Sequence, residues 1–332
     1  MNISNTMNRR WSVRTVLLAV LLGCAVLVGC SGDAEESDAS DALPNPLRTV
    51  ENVDRPDTVS EVEPWSAASV ELRTIPAGGL QREYILSLPK GARQREGLPL
   101  ILVFHGYTST AASMQRTTGL NNADAVVAYL QGVNKAWAPA PYANTNARQD
   151  LEFADAVRTQ LQQEFHTQPA RTFAAGFSNG GGFAEFLSCQ RPQDYTAVAT
   201  VSAAVYDAVT EGCSAIPVKR IDIHGTADSV ISYDGGVRHK THYAAAYQDV
   251  EREARRNHCK ATDDEAPKPE WSEVLPGVAK AEWSGCDAGL VHYKIEGGKH
   301  EWLGPGTAPA STLPIGFASE SVLHFFGVGV QK

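Results

Sequence analysis

Short apolar runs alternate with longer mixed segments from about residue 70 to the C-terminus. Strands are predicted at 70–75, 84–88, 100–104, 126–129, 171–175, 197–201, 220–223 and 291–295. Helical spacing of apolar positions predicts helices over 150–164, 180–189, 242–257 and 319–326. Strands that are apolar at nearly every position are buried on both faces, so the pattern reads as an α/β fold with a mostly parallel sheet covered by helices on both sides. Residues 64–332 are long enough for one core of this kind.

The region before residue 64 has a different pattern. Arg9, Arg10 and Arg14 precede an apolar run over 16–28, which has the build of a signal-peptide core and is short for a membrane span. Leu27-Val-Gly-Cys30 ends it and looks like a bacterial lipobox, predicting cleavage after residue 29 and a lipid on Cys30. Cleavage at Cys24 would leave apolar residues beyond the lipid. An ordinary secretory signal is the alternative. Residues 31–63 hold ten Asp and Glu against two Arg, too little apolar surface for a core, and read as a disordered acidic tether. The rest is mildly acidic, with no basic stripe for nucleic acid.

Candidate chemistry sits at the ends of strands. Gly176-Phe-Ser178-Asn-Gly180 joins an apolar strand to a helical segment, the nucleophile elbow of an α/β hydrolase, in which the flanking glycines avoid collision with neighbouring backbone. The strand 100–104 runs into His105-Gly-Tyr107, where this fold keeps its oxyanion hole. The expected donors are the N–H groups of Tyr107 and Asn179, and the His105 side chain reads as a buried structural histidine. Asp228 follows a late strand, and His300 follows the last one. They complete the order Ser, Asp, His that this fold requires. Asp222 is set aside because, inside its strand, its carboxylate would be buried without an evident partner. His292 and His324 read as structural or exposed, and His239 with His242 as a surface loop. No metal or other cofactor is implied.

Taken together, these blocks resemble the polyhydroxybutyrate depolymerase and feruloyl esterase group of secreted α/β hydrolases over about 77–327. The most telling block is Gly297-Gly-Lys-His300-Glu-Trp302, similar to the family's histidine signature. The resemblance implies a serine esterase acting on soluble or oligomeric esters, with Trp302 beside the histidine or walling the acyl site. Two departures, Leu303 and the segment 126–132, are expected in loops lining the cleft. Cys189, Cys213, Cys259 and Cys286 form an even set in an exported chain. Of three connectivities, Cys189 with Cys213 and Cys259 with Cys286 is the economical one and resembles the family's arrangement. An acyltransferase using the same triad, or a non-catalytic binding lipoprotein on this scaffold, would share these residues.

Overall fold

The computed structural model describes residues 69–261, 266–302 and 313–331. The predicted signal segment, Cys30, the acidic tether and Leu303 lie outside the described residues. The elements in chain order are β1 (Ser69–Ala77), β2 (Leu80–Leu88), β3 (Leu100–Phe104), α1 (Ala111–Thr117), β4 (Val126–Leu130), α2 (Ala147–Phe165), β5 (Thr172–Phe177) and α3 (Asn179–Gln190). There follow β6 (Ala197–Val201), α4 (Asp207–Thr210), β7 (Lys219–Gly225), β8 (Gly236–Arg238), β9 (Thr241–Tyr243), α5 (Ala246–Arg256), β10 (Glu270–Leu275), β11 (Val278–Glu282), β12 (Leu290–Ile295) and α6 (Phe317–Phe326).

Ten strands make one sheet in the order β1-β2-β4-β3-β5-β6-β7-β12-β11-β10. The interior from β4 to β12 is parallel, and antiparallel strands finish both edges. Alternation along β3 divides the core. Leu100, Leu102 and Phe104 pack with α2 and α3, whereas Ile101 and Val103 face α1 and α6. The sheet is therefore covered on both faces, the mostly parallel α/β-hydrolase architecture expected from its apolar strands. Asn146 and Gln149 start α2 with a capping box.

Disulfides join Cys189 to Cys213 and Cys259 to Cys286. The closed loops span 24 and 27 residues, each worth about 3–4 kcal/mol on the chain-entropy argument.

Some expectations need correction. The helix expected over 242–257 begins at Ala246, because His242 and Tyr243 belong to β9. His239 and Lys240, both at positive φ, turn that short hairpin. Residues 126–130 do not line a cleft, being fully buried in β4 between β2 and β3.

Candidate active site

The elbow is built by close backbone approach. Ser178 sits at φ 54° and ψ −119° between β5 and α3, a strained conformation held by its N–H donating to Val201 O at 2.9 Å and its carbonyl accepting from Ala204 N–H at 2.9 Å. A Cβ at Gly176 would lie 2.0 Å from Gly180 O, and one at Gly180 would lie 2.2 Å from Phe104 O. The two glycines are thus required by space. The first N–H groups of a helix have no partner inside it, so the Asn179 N–H is left at the helix start facing the serine turn.

The loop after β3 comes against this turn. A Cβ on Gly106 would lie 3.2 Å from Ser178 Cβ, which sets Tyr107 next to the serine. Tyr107 is 39 % exposed, and its ring centroid lies 4.1 Å from that of Tyr142 and 5.7 Å from that of His239. His105 is buried as expected. Gly132 N–H donates to its Nε2 at 2.9 Å, so the proton is on Nδ1, which donates to Gly106 O at 2.8 Å. Local sequence gave no sign of the brace beneath it. The Asn179 amide accepts from Trp137 N–H and donates to Trp137 O at 2.8 and 3.0 Å, and the Trp137 indole donates to His105 O at 3.0 Å. The serine turn and the loop after β3 are thereby tied together.

Burial lowers the His105 pKa to about 4, against the raising effect of its bond to Gly106. The unfolded chain protonates this group near 6.5, so between those values it binds more protons than the folded one. Stability is then full above about pH 6.5 and falls as the pH drops towards 4, by up to about 3 kcal/mol. Denaturant midpoints at pH 7.5 and 4.5 should show this drop, and His105→Gln should reduce it. An equal drop in the variant would remove His105 as its source.

Asp228 and His300 meet across 72 residues of chain, Nδ1 lying 2.7 Å from the carboxylate Oδ2. Their loops are knitted by backbone: Thr226 N–H donates to Ile295 O and Ala227 N–H to Gly298 O, both at 2.9 Å. Asp228 Oδ1 accepts from the N–H groups of Val230 and Ile231 at 2.8 Å. Burial pushes the Asp228 carboxyl up, but hydrogen bonds from His224 and His300, with the Ile231 N–H, outweigh it and hold the group well below the carboxylate range. The His300 ring lies 4.8 Å from that of Phe177, the residue before Ser178. Ser178, Asp228 and His300 thus follow the C-terminal ends of β5, β7 and β12, strands of the parallel interior that end at the same edge of the sheet.

His224 was not anticipated. It is buried, with Nε2 2.8 Å from Ile231 O and 3.4 Å from Asp228 Oδ2; its only sequence signal is its place four residues before the acid. Asp222 is buried, and it does have partners: His292 Nδ1 at 2.8 Å and the Thr200 hydroxyl at 2.6 Å. Trp302, expected beside His300 or as a wall of the acyl site, is 4 % exposed and its indole donates to Ser319 Oγ of α6 at 2.9 Å. It is packed in the core beneath α6.

No family model matches the chain. NocK of Nocardia uniformis subsp. tsuyamanensis, named as a candidate esterase, is 30 % identical over 324 residues, covering 90 % of this chain and 91 % of its own. Feruloyl esterase C of Emericella nidulans is 28 % identical, covering 70 % and 82 %. Among solved structures, acetyl xylan esterase from Aspergillus awamori superposes with a TM-score of 0.57 at 13 % identity, over 77 % of this chain and 99 % of that one. Thermogutta terrifontis esterase 2 gives 0.51 at 12 % identity, over 78 % and 92 %. The strand order and helix placement described above agree with that fold. The chain belongs to the same esterase family as NocK, on the α/β-hydrolase fold, and is a carboxylic ester hydrolase.

Proposed function

We propose that the chain is an exported serine esterase in which Ser178 is the nucleophile, His300 the general base and Asp228 the group that orients it. The observation that carries this reading is the Asp228–His300 pair at 2.7 Å beside the elbow. Accepting at Oδ2, Asp228 keeps the imidazole proton on Nδ1 and leaves Nε2 free to take the Ser178 proton. Attack on an ester carbonyl forms a tetrahedral oxyanion, stabilised by the N–H groups of Tyr107 and Asn179. The alcohol leaves with the proton held by His300, and water activated by the same ring hydrolyses the acyl-enzyme.

The rings of Tyr107, Tyr142 and His239 near the nucleophile, the last two 4.5 Å apart, support an aromatic acyl group such as the feruloyl named for the relatives. The substrate is read as a soluble or oligomeric ester. Export, with a lipid on Cys30, is supported by the signal pattern and two disulfides. Among the described residues no helix is long and apolar enough to cross a membrane.

A fluorophosphonate should label Ser178, and the full chain should hydrolyse methyl ferulate faster than nitrophenyl esters of long aliphatic acids after each is scaled to its uncatalysed rate. Folded protein that turns over no ester and takes no label would overturn the serine mechanism. A preference for long aliphatic acyl groups would overturn the aromatic assignment alone.

A further inference from the structure

Away from the elbow, a cleft of about 800 Å³ opens between the start of α5 and the β12–β11–β10 edge of the sheet. Its walls include Tyr233, Asp234, Tyr247, Gln248, Trp271 and Lys294. Tyr247 and Trp271 stack at 5.9 Å with 29° between their planes. His292 stands behind them, with its ring 6.2 Å from Trp271 and 5.7 Å from Tyr233.

The register explains how these groups share one face. Trp271, Ala281, His292, Asp222, Thr200 and Gly176 stand opposite one another across six neighbouring strands, and directly opposed residues point the same way. Asp222 accepts at Oδ2, so His292 carries its proton on Nδ1 when neutral. Its Nε2 then accepts from the Tyr233 hydroxyl, 2.8 Å away. This buried chain of hydrogen bonds locks Tyr233 as a wall of the cleft.

Packing accounts for His292 and Asp222, both buried. It does not account for Trp271, which leaves 45 % of its surface in water. Nor does it account for Lys294, whose ammonium lies 5.7 Å from the Tyr233 ring centroid and has no carboxylate within ion-pairing distance among the described residues.

We propose that this cleft is a saccharide-binding subsite. An open aromatic platform suits the C–H face of a sugar ring, whose other face stays hydrated, whereas an aromatic guest gains most from an enclosed slot. The polar rim combines one acid, one ammonium and one amide. It offers donors and acceptors with no net charge, which matches a neutral polyol and not an anion. Counting strands at about 4.8 Å each, Trp271 lies roughly 24 Å along the sheet from Gly176 at the elbow. A small ester held at the elbow does not reach this cleft, whose open volume of about 800 Å³ admits several sugars of one chain. The inference goes beyond the serine mechanism and does not depend on it.

The test is titration of the full chain with xylohexaose, cellohexaose and chitohexaose, followed by calorimetry and tryptophan fluorescence. At least one should bind saturably. Trp271→Ala should weaken it about tenfold, and Trp271→Phe, keeping a ring, no more than about threefold. Nitrophenyl acetate hydrolysis should be unchanged in both variants, which also reports that they are folded. No saturable binding to any of the three, equal binding by Trp271→Ala, or displacement of the sugar by free ferulate would overturn the proposal. Absence of nitrophenyl acetate hydrolysis in the unaltered chain would instead strike the serine mechanism and leave saccharide binding to be judged on its own titration.

Discussion

Ser178→Ala should lower kcat about 10⁶-fold on any ester the chain hydrolyses, with its thermal unfolding little changed, because nucleophile and base act as one unit. Adding His300→Ala to that variant should cost almost nothing more, for an imidazole with no hydroxyl to deprotonate has lost its task. Asp228→Asn should cost about 10⁴-fold by a different route. Its amide oxygen can still accept from the N–H groups of Val230 and Ile231. Its NH₂ would then face His300 Nδ1, now required to accept, and the proton would move to Nε2, the atom that must receive the Ser178 proton. The variant therefore keeps its geometry and loses the tautomer. Burst and steady-state kinetics on nitrophenyl acetate, beside thermal denaturation, check all three. Activity within tenfold of the parent in folded Ser178→Ala would exclude the serine as nucleophile.

The parts of the site that could be read from sequence are those where chemistry constrains neighbours in the chain. The elbow demands glycine at two fixed offsets, and the buried parallel strands demand unbroken apolar runs, so 100–104 and 197–201 coincide with β3 and β6. What local spacing cannot carry is partnership at a distance. Asp222 looked unpaired because His292 stands 70 residues away. The Asn179 clamp on Trp137 spans 42 residues, and nothing around either residue announces it. The hairpin of β10 and β11 was missed for another reason: an edge strand is half solvated, and Glu270–Leu275 shows no buried position. Its one readable signal is Pro276-Gly277, a turn pair between the two strands.

Gly180→Ala should be among the most destabilising single-methyl changes in the chain. The added Cβ would lie 2.2 Å from Phe104 O, 2.5 Å from Phe104 C and 2.6 Å from His105 O. All three are backbone atoms of β3 and the residue that follows it, and none can rotate away as a side-chain tip could. Overpacking a core against groups that can shift costs about 1–3 kcal/mol; here relief requires moving β3 away from α3, so about 4 kcal/mol or more is expected. Two further glycines separate space from backbone conformation. Gly289→Ala meets nothing within 4 Å and should be neutral. Gly79→Ala also meets open space but sits at φ +74°, and should cost only the roughly 1–2 kcal/mol of a left-handed residue. Denaturant unfolding of the three variants ranks them. If Gly180→Ala cost no more than Gly79→Ala, the elbow would have room that these contacts deny, and Gly180 would owe its place to something other than the approach of β3.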